Sequence, residues 1–181
     1  ILPALLALAE ERTIPVASLL PRNLHFPLGH PLFLGINPHG AVPSADLIIS
    51  LETDVPYMPL HAQPTADCRV VHVGPDPVFQ RYPRRGYRAD AYVTSSAVAF
   101  IRALHQSTGS PEQALIDGRM SWAAGIRDAK AAKRAAAINS ALRSGEMTFG
   151  WISHCIAEAA AANQELVVLR EFDFESDYLG T

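Results

Sequence analysis

Apolar and polar positions divide the chain into short runs of two kinds. In CRVVHVGPDP, Val70, Val71 and Val73 lie too close together for a strand with one wet face, and the run stops at once on Gly74-Pro75-Asp76-Pro77. A strand buried on both faces and closed by a rigid turn is the expected structure. ADLIISLETD predicts a second strand, Leu47–Leu51, apolar on both faces, DAYVTSS predicts a third, Ala91–Thr94, and TIPVASLL (residues 13–20) predicts a short buried one. Leu2, Leu5, Leu6 and Leu8 with Ala9 fall near helical spacing and predict a helix ending near Glu11-Arg12. In AVAFIRALHQSTG, Val98, Ile101 and Leu104-His105 line one side of a helix capped by Ser95 or Ser96. VPYMPLHAQPTA, between the first two strands, is short for a crossover helix but has room for one or two helical turns. Continuous apolar strands alternating with helices predict an α/β fold, a Rossmann-like parallel sheet with flanking helices.

Two stretches depart from that alternation. Pro21, Pro27, Pro31, Pro38 and Pro43 forbid regular structure over most of residues 21–45, a length of irregular chain that usually carries a task. From about Ser110 the chain turns rich in Ala, Lys and Arg and predicts a long helix, with Lys130, Lys133 and Arg134 read as a solvated face. TFGWISHCIAEAAAANQ predicts a further helix with Thr148 as N-cap and Ile152, Cys155, Ile156 and Ala159 on its buried face. ELVVLREFD predicts another buried strand.

Composition narrows the class. The chain has 181 residues, 49% of them hydrophobic and 18% charged, enough to bury a core without a disulfide or metal. A net charge of −3 supplies no basic field for phosphate backbones, so no nucleic-acid partner is expected. No run approaches the ~18 apolar residues of a membrane span. The apolar N-terminus is interrupted by Glu10, Glu11 and Arg12 and lacks the basic start of a signal peptide. Cys68 and Cys155 have neither C-x-x-C nor zinc-type spacing and read as buried free thiols, in keeping with a cytoplasmic location. The chain starts without Met, which reads as a piece of a longer protein.

Taken in order, GHPLFLG (residues 29–35), the ADLIISL strand and the VVHVGPDP strand-turn resemble the central domain of thiamine-diphosphate-dependent enzymes of the acetolactate synthase-like and pyruvate-decarboxylase-like superfamily. The tail TFGWISHCIAEAAAANQELVVLREFD is similar to the first helix and strand of that family's diphosphate-binding domain. The resemblance implies a central domain lacking its first strand over residues 1–109, a helical interdomain connector over 110–146 and the truncated start of a second α/β domain over 147–181. It implies an intact lyase or transferase acting on small 2-oxo acids with thiamine diphosphate and Mg2+. The expected partners are other domains of the same polypeptide and further copies in a dimer or tetramer. In such enzymes the turn after the valine-rich strand helps to hold FAD or ADP. Carried onto this chain, the cofactor-binding candidates are Gly74 and Asp76, with Arg81, Arg84 and Arg85 of RYPRRGYR as a phosphate or acyl-CoA clamp.

The departures from the family pattern are specific. FAD-binding relatives carry Asp directly after the strand where this chain has Gly74, and Glu52 and Asp54 stand where a Gly and an Arg are expected. Acidic groups repel a diphosphate by about 1 kcal/mol per charge at ~4 Å in water. The family's catalytic Glu lies in another domain, and its GDG…Asn magnesium motif has no match; Asp117-Gly118 lacks the leading glycine. No catalytic residue is therefore assigned.

Other constellations are weaker. Seven histidines, among them His25, His30, His39, His61 and His72, show no H-x-H or H-E-x-x-H spacing, so no metal site is predicted. His30, before Pro31, reads as a turn residue, although the matching loop in the family approaches the neighbouring domain. Ser153, His154 and Cys155 point in different directions on a helix. Asp173, Glu175 and Asp177 lack the Gly and Glu of a calcium loop; by the resemblance, residues 171–176 line the active site of the intact protein. Two readings stand beside the family: a stand-alone Rossmann-like nucleotide-binding module, and a structural domain that has lost its ligand.

Overall fold

A computed structural model describes residues 1–19, 26–80, 86–163 and 165. Arg81, Arg84 and Arg85, His25, the strand expected in ELVVLREFD beyond Glu165 and the acidic tail lie outside the described residues.

Among the described residues three strands form the sheet: β1 (Leu47–Leu51), β2 (Arg69–Gly74) and β3 (Ala91–Thr94), in the order β1-β2-β3 and all parallel. The register sets Ser50 beside His72 and His72 beside Tyr92. The valine-rich strand is therefore the central one, with Val70 and Val73 buried, which is why it cannot alternate. β1 is less enclosed than its composition predicts: Leu47 is exposed, because among the described residues β1 is paired on one side only. The β1–β2 connection contains two turns, one in which His61 and Ala62 donate to the Met58 carbonyl and one in which Cys68 donates to the Thr65 carbonyl. Beneath the connection Val42, Tyr57 and Ala62 pack with Ile48 and Tyr87. Burial pushes the Tyr57 phenol above its ordinary pKa.

Helix α1 (Leu2–Arg12) ends where Thr13 turns left-handed at φ 52° and its N–H reaches the Ala9 carbonyl. Leu5, Leu6 and Ala9 pack on Phe26, Leu32 and Phe33. The strand expected over residues 13–20 shrinks to one parallel bridge, Val16 to Phe33. Val16 donates to the Leu32 carbonyl and accepts from Leu34, but the donors that would lengthen the ladder towards the N-terminus are taken elsewhere, Ile14 N–H by the Ala9 carbonyl and Leu32 N–H by His30 Nδ1.

Helix α2 (Ala97–Ser107) is capped by Ser96, whose Oγ accepts from the Ala99 N–H at 3.2 Å. Its expected face is the buried one, with Ala97 and Ile101 inside. Arg12 ties α1 to α2 through Thr108 Oγ1 and the His105 carbonyl, both at 3.2 Å, and His105 Nε2 lies 2.7 Å from Glu11 Oε2. That bond holds the Glu11 carboxyl below its ordinary pKa.

Helix α3 (Gln113–Ser144) is the long helix expected, closed by Gly145 at φ 70°. Its first half lies on the proline-rich segment: Ala123, Trp122 and Ile126 meet Leu34, Ala41 and Ala17. Arg119 donates to the Arg12 carbonyl at 2.7 Å and Trp122 Nε1 to Ser44 Oγ at 3.0 Å. Lys130 does not belong to a solvated face, since its Nζ donates to the Asn37 carbonyl at 2.6 Å.

Helix α4 (Phe149–Ala162) starts at the predicted cap, with Thr148 Oγ1 accepting from the Trp151 N–H. Its buried side is not the one expected. Gly150 and Ser153 are inside, while Ile152 and Cys155 are exposed. Gly150 lines one shallow cleft with Ala137 and Ala141 of α3. Ser153 returns its hydroxyl to the Phe149 carbonyl at 2.7 Å.

Candidate functional site: the carboxyl rim of the sheet

Parallel strands deliver their carboxyl ends to one edge, where backbone groups leave the ladder and can meet a ligand. Two hydrogen bonds carry the pairing just past the strands: Glu52 N–H to the Val73 carbonyl at 2.8 Å, and Ser95 N–H to the Gly74 carbonyl at 3.0 Å. Beyond them lies an open cleft of about 290 Å³, walled by residues of the 50–54 and 72–79 segments.

Ser50 and His72 form its floor, side by side in the register and both buried. His72 Nε2 donates to the Arg88 carbonyl at 3.1 Å, and the ring stacks on Tyr92 with centroids 5.8 Å apart. The sequence carried a usable signal for both residues. Each is a polar side chain set inside a largely apolar strand, Ser50 in LIISL and His72 in RVVHVG.

The wall is acidic. Glu52, Asp54 and Asp76 line the cleft, and among the described residues no Lys or Arg does so. Glu52 is held tightly: its backbone is left-handed at φ 44°, and its Oε1 accepts from the Ala97 N–H at 2.6 Å. The carboxylate thus sits on the first turn of α2, where the free N–H groups and the helix dipole favour negative charge.

Gly74 and Asp76, the two cofactor-binding candidates inside the described residues, both border the cleft. A Cβ on Gly74 would meet Glu52 Cα and Cγ at an ordinary 3.9 Å, so this glycine makes no cradle that a side chain would fill. Asp76 is a turn-former: Oδ2 accepts from the Gln80 N–H at 3.0 Å, and its carbonyl accepts from Phe79 at 3.2 Å. Phe79 itself is left-handed at φ 53° and edges the cleft.

The other candidate residues lie elsewhere. His30 is a turn residue, with Nδ1 accepting from the Leu32 N–H and Nε2 donating to Glu10. Asp117 sits on α3, bonded to Gln113, and follows no strand. Among the described residues no group of three or more His, Cys, Asp or Glu side chains is arranged to hold a metal ion. Burial pushes the Cys68 thiol above its ordinary pKa, away from the reactive thiolate. No helix in the described residues is long and apolar enough to cross a membrane.

Comparison of the chain with protein-family models, with curated proteins and with solved structures returns no match.

Proposed function

We propose that the chain is the central scaffold of a thiamine-diphosphate-dependent enzyme acting on small 2-oxo acids, spanning a central domain (1–109), a connector (110–146) and the start of a diphosphate-binding domain (147–181). One observation carries the reading. The valine-rich strand with its Gly74-Pro75-Asp76-Pro77 exit stands between the ADLIISL strand and a third strand in a parallel sheet, and an all-parallel sheet is what the resemblance implies.

Thiamine diphosphate supplies the carbanion chemistry that cleaves the bond beside a carbonyl, and its ligands belong to other parts of the polypeptide. Among the described residues no group of three or more His, Cys, Asp or Glu side chains is placed to hold Mg2+. What this chain contributes is position: the sheet fixes the rim, α2 and α1 are locked to each other through Arg12, and α3 holds the end of α1 through Arg119 and the proline-rich segment through Trp122 and Lys130.

A nucleotide does not suit the described rim. FAD or ADP brings a diphosphate, whereas the cleft presents three carboxylates, one of them already on the α2 N-terminus. That observation favours, as the second reading, a structural domain that has lost its ligand over a stand-alone nucleotide-binding module.

The test is the activity of the full polypeptide that contains this chain. Release of CO2 from pyruvate or a related 2-oxo acid, dependent on added thiamine diphosphate and Mg2+, is expected. Activity indifferent to both, or none with any 2-oxo acid, overturns the reading. Titration calorimetry with FAD, ADP and CoA tests the rim separately, and no heat is expected.

A further inference from the structure

We propose that Glu52 is the specificity-determining residue of the rim cleft: its carboxylate occupies the place beside α2 that a phosphate group would take, and so closes the cleft to phosphate-bearing ligands. This rests on reading the rim as the ligand-facing edge of the sheet.

Three observations support it. First, the Glu52 carboxylate is bonded to the Ala97 N–H at 2.6 Å, a charge-assisted contact of the kind an incoming anion would have to displace. Second, the carboxylate is tethered. Glu52 is tied to β2 through the Val73 carbonyl, one residue past the end of β1, so its effective concentration at α2 far exceeds that of a free anion. Third, Asp54 and Asp76 line the same cleft, and no described basic side chain lines it to offset them. Each like charge at ~4 Å lowers an anion's affinity roughly fivefold in water, and by more as solvent is excluded. The cleft that remains has a floor of Ser50 and His72 and an aromatic edge at Phe79, with room for a small neutral or cationic group.

The decisive variant is Glu52→Gly, because φ 44° suits glycine and the backbone is kept while the carboxylate is removed. In the full chain, E52G is expected to melt roughly 2–4 °C lower, the size of a lost helix cap. Formate or inorganic phosphate is expected to restore that loss where chloride of equal ionic strength does not, and the wild type is expected to be indifferent to all three. Calorimetry is expected to show saturable phosphate and ADP binding to E52G and none to the wild type. Glu52→Gln, which keeps the acceptor without the charge, is expected to melt close to the wild type and to gain a weaker phosphate response.

If neither variant is stabilised by formate or phosphate more than the wild type, the proposal fails. It also fails if the wild type binds ADP as tightly as E52G. Either result leaves the thiamine-enzyme reading standing, whereas absent thiamine dependence in the full polypeptide removes that reading and leaves the Glu52 result intact.

Discussion

Asp90 grips Val70 twice. Its Oδ2 accepts the Val70 N–H at 2.8 Å, and its own N–H donates to the Val70 carbonyl at 2.7 Å. The central strand is thereby paired one residue ahead of β3, with Arg88 bracing the second carboxylate oxygen at 3.2 Å. The bond from Val70, more than the Arg88 guanidinium, holds the Asp90 carboxyl below its ordinary pKa.

A group whose pKa is depressed by folding stabilises the protein above its unfolded pKa, and that contribution is lost as pH falls through the folded value. Stability that depends on Asp90 should therefore be complete at neutral pH and fade on the acid side, beginning in the ordinary aspartate range. Asp90→Ala is expected to lower Tm by a few degrees at pH 7 and to narrow its gap to the wild type at pH 3. A gap that stays constant across thermal melts from pH 3 to pH 7 would contradict this.

Ile101 is the buried anchor of α2. Ile101→Ala removes packed methyl groups and leaves a cavity, which costs about 2–5 kcal/mol. Urea unfolding should show the midpoint falling with an unchanged slope. Arg102→Ala, on the exposed side of the same helix, should change it by less than about 0.5 kcal/mol.

Ala123 is fully enclosed between α3 and the proline-rich segment. Ala123→Leu has no room for its added carbons and is expected to cost about 1–3 kcal/mol. Trp122 is the built-in reporter, since its indole bonds Ser44 across the same contact. A red shift of tryptophan emission in A123L, well below the melting temperature, would show α3 lifting from the segment.

The two cysteines should separate chemically. Cys68 is buried and its thiol is pushed up by that burial, while Cys155 is exposed on α4. Ellman's reagent is expected to titrate one thiol quickly in the native protein and the second only after denaturation. Cys155→Ser should abolish the fast phase, and two fast thiols in the native state would refute the assignment.

The sheet and α2 were legible because period and capping are local. The valine run, the Ser96 cap and the Ile101 face each follow from a few adjacent residues, and each recurs in the structure. The rim residues Gly74 and Asp76 were legible for the same reason, as positions that end a strand. What the pattern misjudged depends on partners far away in sequence. Lys130 reads as solvated until Asn37 is placed against it, and α4, packed against α3, turns Gly150 and Ser153 inward rather than its apolar stripe. The grip of Glu52 on Ala97 spans 45 positions and carries no periodic signature at all.

Because all three described strands run the same way, chain segments 52–54, 75–80 and 95–96 emerge at one edge of a hydrogen-bonded platform to which they add only the last bonds, from Glu52 and Ser95. Under the proposed reading, the residues that meet a ligand are thus mostly exit residues, while most of the folding core lies in the strands. Rewriting a handful of exit residues could change what the protein admits while the valine core beneath stays as it was.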